Sequence, residues 1–173
     1  MSYTPTLLQR ALHVSVVGSA GVLAVWSATS MVVALAARRL PGRLASHGRL
    51  AIGLGLCAAG EIGLTGLGAG AGWTRLVPGL FVVGIGSGFA NAALGRLAVE
   101  SVSRERAAMG SGANNTARYL GGAAGVAVVV ALGSGTDASG LIPGWNVAAL
   151  VSAGLCAVGA LIAVCCRTER RSA

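Results

Sequence analysis

Charge is scarce in this chain: 10% of its 173 residues are charged, against about a quarter in an average soluble domain. There is no lysine, all thirteen basic residues being arginine, and only five acids offset them. So few charges cannot clothe a water-soluble surface on a chain that is 54% hydrophobic, and the apolar residues come in long runs instead of at one-face spacing. Aromatics make up 4%, too few to name a substrate from the sequence. The four cysteines, Cys57, Cys156, Cys165 and Cys166, lack C-x-x-C spacing and a neighbouring histidine. They read as small packing residues, and no metal or cofactor is expected. Catalytic constellations are missing as well. His13 and His47 are separated by a full apolar run, and no serine is offered a placed base, so the chain is not expected to be an enzyme. No cleavable signal is expected either, because the first apolar run is too long for one.

What is present is a set of charge-poor windows, each long enough to cross a hydrocarbon layer of about 30 Å. Five are expected to span the membrane, at 16–37, 50–70, 76–99, 107–132 and 145–166. Only helices satisfy their own backbone hydrogen bonds over such lengths, so the fold class is all-α, a polytopic membrane protein with one transmembrane domain over residues 1–173. The net charge of +8 does not point to nucleic acid, because the arginines sit in short segments between apolar runs. Arg38, Arg39, Arg43, Arg49, Arg104, Arg106, Arg167, Arg170 and Arg171 alternate in position with Arg10 and Arg75. Arginine is retained on the cytoplasmic side, which places the N-terminus outside and the C-terminus inside. Trp73 and Trp145 are expected as interfacial anchors at outer ends of spans, with 133–144 as an exposed connection.

Glycine is abundant, at 28 residues. The four-residue spacing of Gly84 with Gly88, and of Gly121 with Gly125, predicts close helix contacts. In the fourth span Gly110, Asn114, Arg118, Gly121 and Gly125 fall on one helix face. A membrane-buried arginine costs at least about 2.5 kcal/mol, so it should face a partner helix or a wet cavity. Two readings of Arg118 stand: a structural cation paired with carbonyls, or a cavity-lining group with Asn114 and Asn115 beside it. Glu61 is an acid inside the second span, either a structural carboxyl or a proton-coupling group. Asn91 and Trp26 are candidates for lining a substrate path, or for linking helices.

Three segments carry a resemblance. Gly84-Ile-Gly-Ser-Gly-Phe-Ala-Asn91 is followed by Val102-Ser-Arg-Glu-Arg106, and then by Asn115-Thr-Ala-Arg-Tyr-Leu-Gly-Gly-Ala-Ala-Gly125. In this order they resemble the glycine-rich helix, short E-R loop and N-T-x-R-x-L-G-G-x-x-G helix near the C-terminus of the fourteen-span drug:proton antiporter branch of the major facilitator superfamily. Leu40-Pro-Gly-Arg-Leu-Ala-Ser-His-Gly-Arg49 is similar to that family's cytoplasmic G-R-L-A-D-R-x-G loop, matched at Gly42, Arg43, Gly48 and Arg49. Ser46 stands where the acid is usual and His47 where an arginine is usual.

The resemblance implies a partial C-terminal half of a major facilitator fold, and hence a fragment or subunit of a proton-coupled multidrug efflux transporter in the plasma membrane. The implied substrates are small hydrophobic or cationic compounds, and the implied partners are membrane lipid with a separately encoded N-terminal half or further copies of the chain. By that resemblance Glu61 would be peripheral to the central cavity, and the chain alone would not export drugs. The alternative is a nonenzymatic membrane subunit that binds another membrane protein and transports nothing.

Overall fold

A computed structural model describes residues 4–39, 45–68, 72–132 and 138–172. Among these, five long helices account for most of the chain: α1 (Val16–Arg39), α2 (Ser46–Gly63), α3 (Leu76–Glu100), α4 (Ala107–Leu132) and α5 (Ala138–Ser172). A short helical turn at Thr4–Thr6 and Leu7–Ala11 precedes them, and single 3-10 turns at Trp73–Arg75 and Arg104–Arg106 lead into α3 and α4. No strand occurs among the described residues. The protein is an all-α polytopic membrane chain. Among the described residues, three helical stretches are long and apolar enough to cross a membrane by length and composition: Val16–Ala37, Trp73–Glu100 and Leu141–Cys166.

The other two helices differ from those three for legible reasons. α2 ends at Gly63, seven residues short of the expected 70, because Leu64 turns its N–H onto the carbonyls of Gly60 and Glu61 and Thr65 bonds back to Ile62. Its 18 residues span roughly 27 Å at 1.5 Å per residue. α4 has the expected bounds, yet Asn114, Asn115, Thr116 and Arg118 lower its apolar character. α5 begins at Ala138 instead of Trp145 and runs through Pro143, which corrects the expected connection at 133–144. Residues 133–137 lie outside the described ones, whereas Leu141 and Gly144 are buried in the bundle.

The core forms where α3 crosses α2 and α1 and where α5 covers α2. Leu64, Leu76, Leu80, Val83 and Trp145 are buried together, with Leu7 and Leu8 sealing one end. Glycine sets the spacing. A Cβ on Gly53 would meet the Ala90 nitrogen at 2.6 Å, and one on Gly86 would meet both the Cys57 nitrogen and the Gly53 carbonyl at 2.6 Å. Gly60 approaches the Val83 nitrogen in the same way, at 2.8 Å. Backbone thus lies against backbone along α2 and α3, as small residues permit between helices in lipid. Gly84 and Gly88 do the same toward α1, where added Cβ atoms would stand 3.0 Å from the Trp26 carbonyl and 2.7 Å from the Ser30 carbonyl.

The loop from α2 to α3 is fastened to α5. Trp145 is 6% exposed and its indole Nε1 donates to the Leu64 carbonyl at 2.9 Å. Asn146 accepts from the Leu67 N–H and donates to the Leu67 carbonyl, both at 3.2 Å. Trp145 is therefore an interior clamp and not the interfacial anchor its position suggested. Gly66 between them takes φ +72°, a left-handed conformation that glycine adopts without steric cost. Trp73, by contrast, is 44% exposed at the start of α3.

Candidate functional site

The polar residues expected to line a path do not converge on one site. They divide between the bundle interior, the face of α4, and the end where α1, α2 and α3 meet. In the interior, Trp26 donates from Nε1 to the Ser87 hydroxyl at 3.4 Å, bridging α1 and α3. Cys57 continues the chain of polar contacts into α2, lying 3.8 Å from the Ser87 hydroxyl and from the Val83 carbonyl. Trp26 thus links helices. Glu61 lies one turn beyond Cys57, half-buried in the last turn of α2. Its expected place well inside a span of 50–70 is thereby corrected, because the helix stops two residues later and brings the carboxyl close to a helix end.

α4 touches the other helices mainly through its first turns. Gly110 faces Ala98 and Val102 of the α3 end, and Asn114 is half-buried. From Asn115 onward every residue of α4 whose exposure is described is exposed, Tyr119 reaching 79%. The face that begins on the bundle at Gly110 and Asn114 therefore continues into open space at Arg118, Gly121 and Gly125. Added Cβ atoms on Gly121 and Gly125 would meet nothing within 4 Å, so among the described residues these two glycines bring no helices together. Asn115 and Arg118 are exposed, and their side chains hydrogen-bond to no other described residue.

At the end bearing the α1–α2 connection, the sequence motif is partly visible. Gly42 and Arg43 lie outside the described residues. Gly48 and Arg49 belong to the first turn of α2 and are buried, Arg49 at 8% exposure. Its Nη1 donates to the Ala37 carbonyl at 3.2 Å, placing a cation on the last turn of α1, where the helix dipole favours one. Ser46 donates to Glu100 Oε2 at 3.0 Å, and Arg96 Nε pairs with Glu100 Oε1 at 2.6 Å. These contacts border an open cavity of about 380 Å³ whose lining includes Ser46, Arg49, Asn91 and Arg96. Asn91 therefore opens toward this end and does not share a cavity with Arg118. The family model for the Major Facilitator Superfamily matches residues 1–126. The chain belongs to the major facilitator superfamily. That superfamily consists of membrane transporters, and the match runs from the first turn through α4 as far as Val126. No curated protein and no solved structure matches the chain.

Several contributors escaped the sequence reading. Ser87 and Cys57 are unremarkable in an apolar run, and Glu100 resembles any acid after a span. Gly53 with Gly60 and Gly79 with Gly86 carried a usable signal: both pairs are spaced by seven, which returns to the same helix face after two turns.

Proposed function

We propose that the chain is a C-terminal portion of a proton-coupled multidrug efflux transporter of the fourteen-span drug:proton antiporter branch. The complete transporter exports small hydrophobic or cationic compounds across the plasma membrane by alternating access, and within it this chain's N-terminus lies outside while its C-terminus is cytoplasmic. The observation that carries this reading is the polar, glycine-lined face of α4, on a stretch of helix that no described element covers. Arg118 is exposed there with Asn115 beside it and Gly121 and Gly125 following. A charge on a membrane helix is tolerated where it meets a wet cavity or a protein partner, and transporters of this architecture place their substrate between two halves that rock against each other. The Asn115 to Gly125 segment, with its resemblance to the antiporter branch, supports assigning this face to that junction.

The test is dye efflux from vesicles bearing the transporter, comparing Arg118→Ala with Arg104→Ala. Arg104 lies exposed in the turn before α4, where water replaces any lost partner. Arg118→Ala should abolish most efflux while Arg104→Ala retains it. Equal activity of the two variants contradicts the reading.

A further inference from the structure

We infer that the cavity between the α1 terminus, the first turn of α2 and the last turns of α3 is a binding site for a phosphate-bearing anion. Its lining presents Arg49, Arg96, Ser46 and Asn91, two guanidinium groups with a hydroxyl and an amide, a donor set suited to the oxygens of a phosphate. Two of these groups hold donors that the fold leaves unspent. Arg96 uses Nε on Glu100, and neither of its Nη groups donates to a described residue. The Asn91 amide likewise has no described hydrogen-bond partner. Arg49 is held in place by the Ala37 carbonyl, so its charge is fixed at the cavity wall instead of sampling solvent.

The surroundings reinforce the sign. α2 starts with no acid in its first turn and no side-chain cap from Ala45, leaving its first N–H groups and the positive end of its dipole beside Ser46. Arg39 ends α1 at the same level, and His47 sits on the first turn of α2. The one described acid in contact with the lining is Glu100, which engages Arg96 and Ser46. Glu100 thus holds the Ser46 hydroxyl and Arg96 Nε, and its charge repels an incoming anion. An anion entering the cavity takes over the Nη face of Arg96 while Glu100 keeps Nε. A cavity of about 380 Å³ is within the range of small-molecule sites and accommodates a phosphate together with part of the group it esterifies. Two sources share this chemistry, an anionic phospholipid headgroup and free inorganic phosphate.

The experiment is native mass spectrometry of the purified full chain, titrated separately with phosphatidylglycerol and with inorganic phosphate. Wild type, Arg96→Gln and Glu100→Gln are compared. Arg96 is exposed, so its loss leaves the core intact, and circular dichroism melting verifies that each variant folds. Arg96→Gln should weaken binding about tenfold, the loss of one charge-assisted pair. Glu100→Gln should strengthen it, because the repelling carboxylate is gone; a purely structural role for the Ser46–Glu100–Arg96 cluster gives no such gain. This opposed pair of effects with phosphatidylglycerol identifies a lipid headgroup site, and with inorganic phosphate alone a free-anion site. Binding of both probes that is unchanged by either variant, or weakened by both, overturns the inference.

Discussion

The indole of Trp145 donates to the Leu64 carbonyl at 2.9 Å across 81 residues of sequence. Leu64 is the residue that caps the C-terminus of α2, and its carbonyl would otherwise face the apolar core without a partner. The bond therefore joins the end of one helix to the side of another, and Asn146 secures the next turn of the loop. Trp145→Phe keeps an aromatic side chain but removes the donor and part of the buried indole. It should destabilise the bundle by about 1–3 kcal/mol, the lost interhelical hydrogen bond adding to the lost packing. Asn146→Ala removes two bonds and should cost a comparable amount or more, measured by reversible denaturation in mixed micelles.

The backbone contacts between α2 and α3 give a sharper contrast. Gly86→Ala puts a methyl 2.6 Å from backbone atoms of Cys57 and Gly53, and backbone cannot swing aside as a flexible side chain does. The expected loss is about 1–3 kcal/mol, as for other overpacked cores. Gly121→Ala meets open space and should be neutral or slightly stabilising in the isolated chain, since alanine is the better helix former. Denaturation of the two variants side by side checks both directions.

Orientation follows from the arginines. Ser46 and Arg170 are expected to face the cytoplasm, and Gly72 and Ser139 the outside, because nine arginines lie on the first side and two on the other. Single cysteines at these positions, in a background without the native thiols, should react with a membrane-impermeant reagent from opposite sides. A cysteine at 139 labelled only from the cytoplasmic side contradicts the orientation.

How much of this was legible in the sequence depended on the range of the interaction involved. α4 occupies 107–132 as expected, because the Arg104–Arg106 turn marks its start and the glycine-rich stretch after Leu132 its end. The end of α2 was not legible, since Leu64, Thr65 and Leu67 are as apolar or small as the helix before them. The turn is fixed by Trp145 and Asn146 from α5. Trp145 itself was misplaced for the same reason: an indole near a span end suits either the interface or an interior carbonyl, and only the tertiary contact decides. At the candidate site, Asn114, Asn115 and Arg118 were found because polar groups are conspicuous in an apolar helix. The cavity at Arg49, Asn91 and Arg96 was not, because its members come from α2 and α3 and meet only when the Gly53–Gly86 contact brings those helices together.

The account turns on which face of α4 meets water and substrate. Arg118 and Gly121 lie on one face of that helix, and Leu120 and Ala127 on the opposite one. Single cysteines at these four positions, in membranes bearing the transporter, can be probed with a water-soluble thiol reagent in the presence and absence of a transported cationic dye. The account predicts labelling at 118 and 121 that the dye slows, with no reaction at 120 and 127, which face lipid. Equal labelling at all four positions, or reaction at 120 and 127 alone, contradicts it.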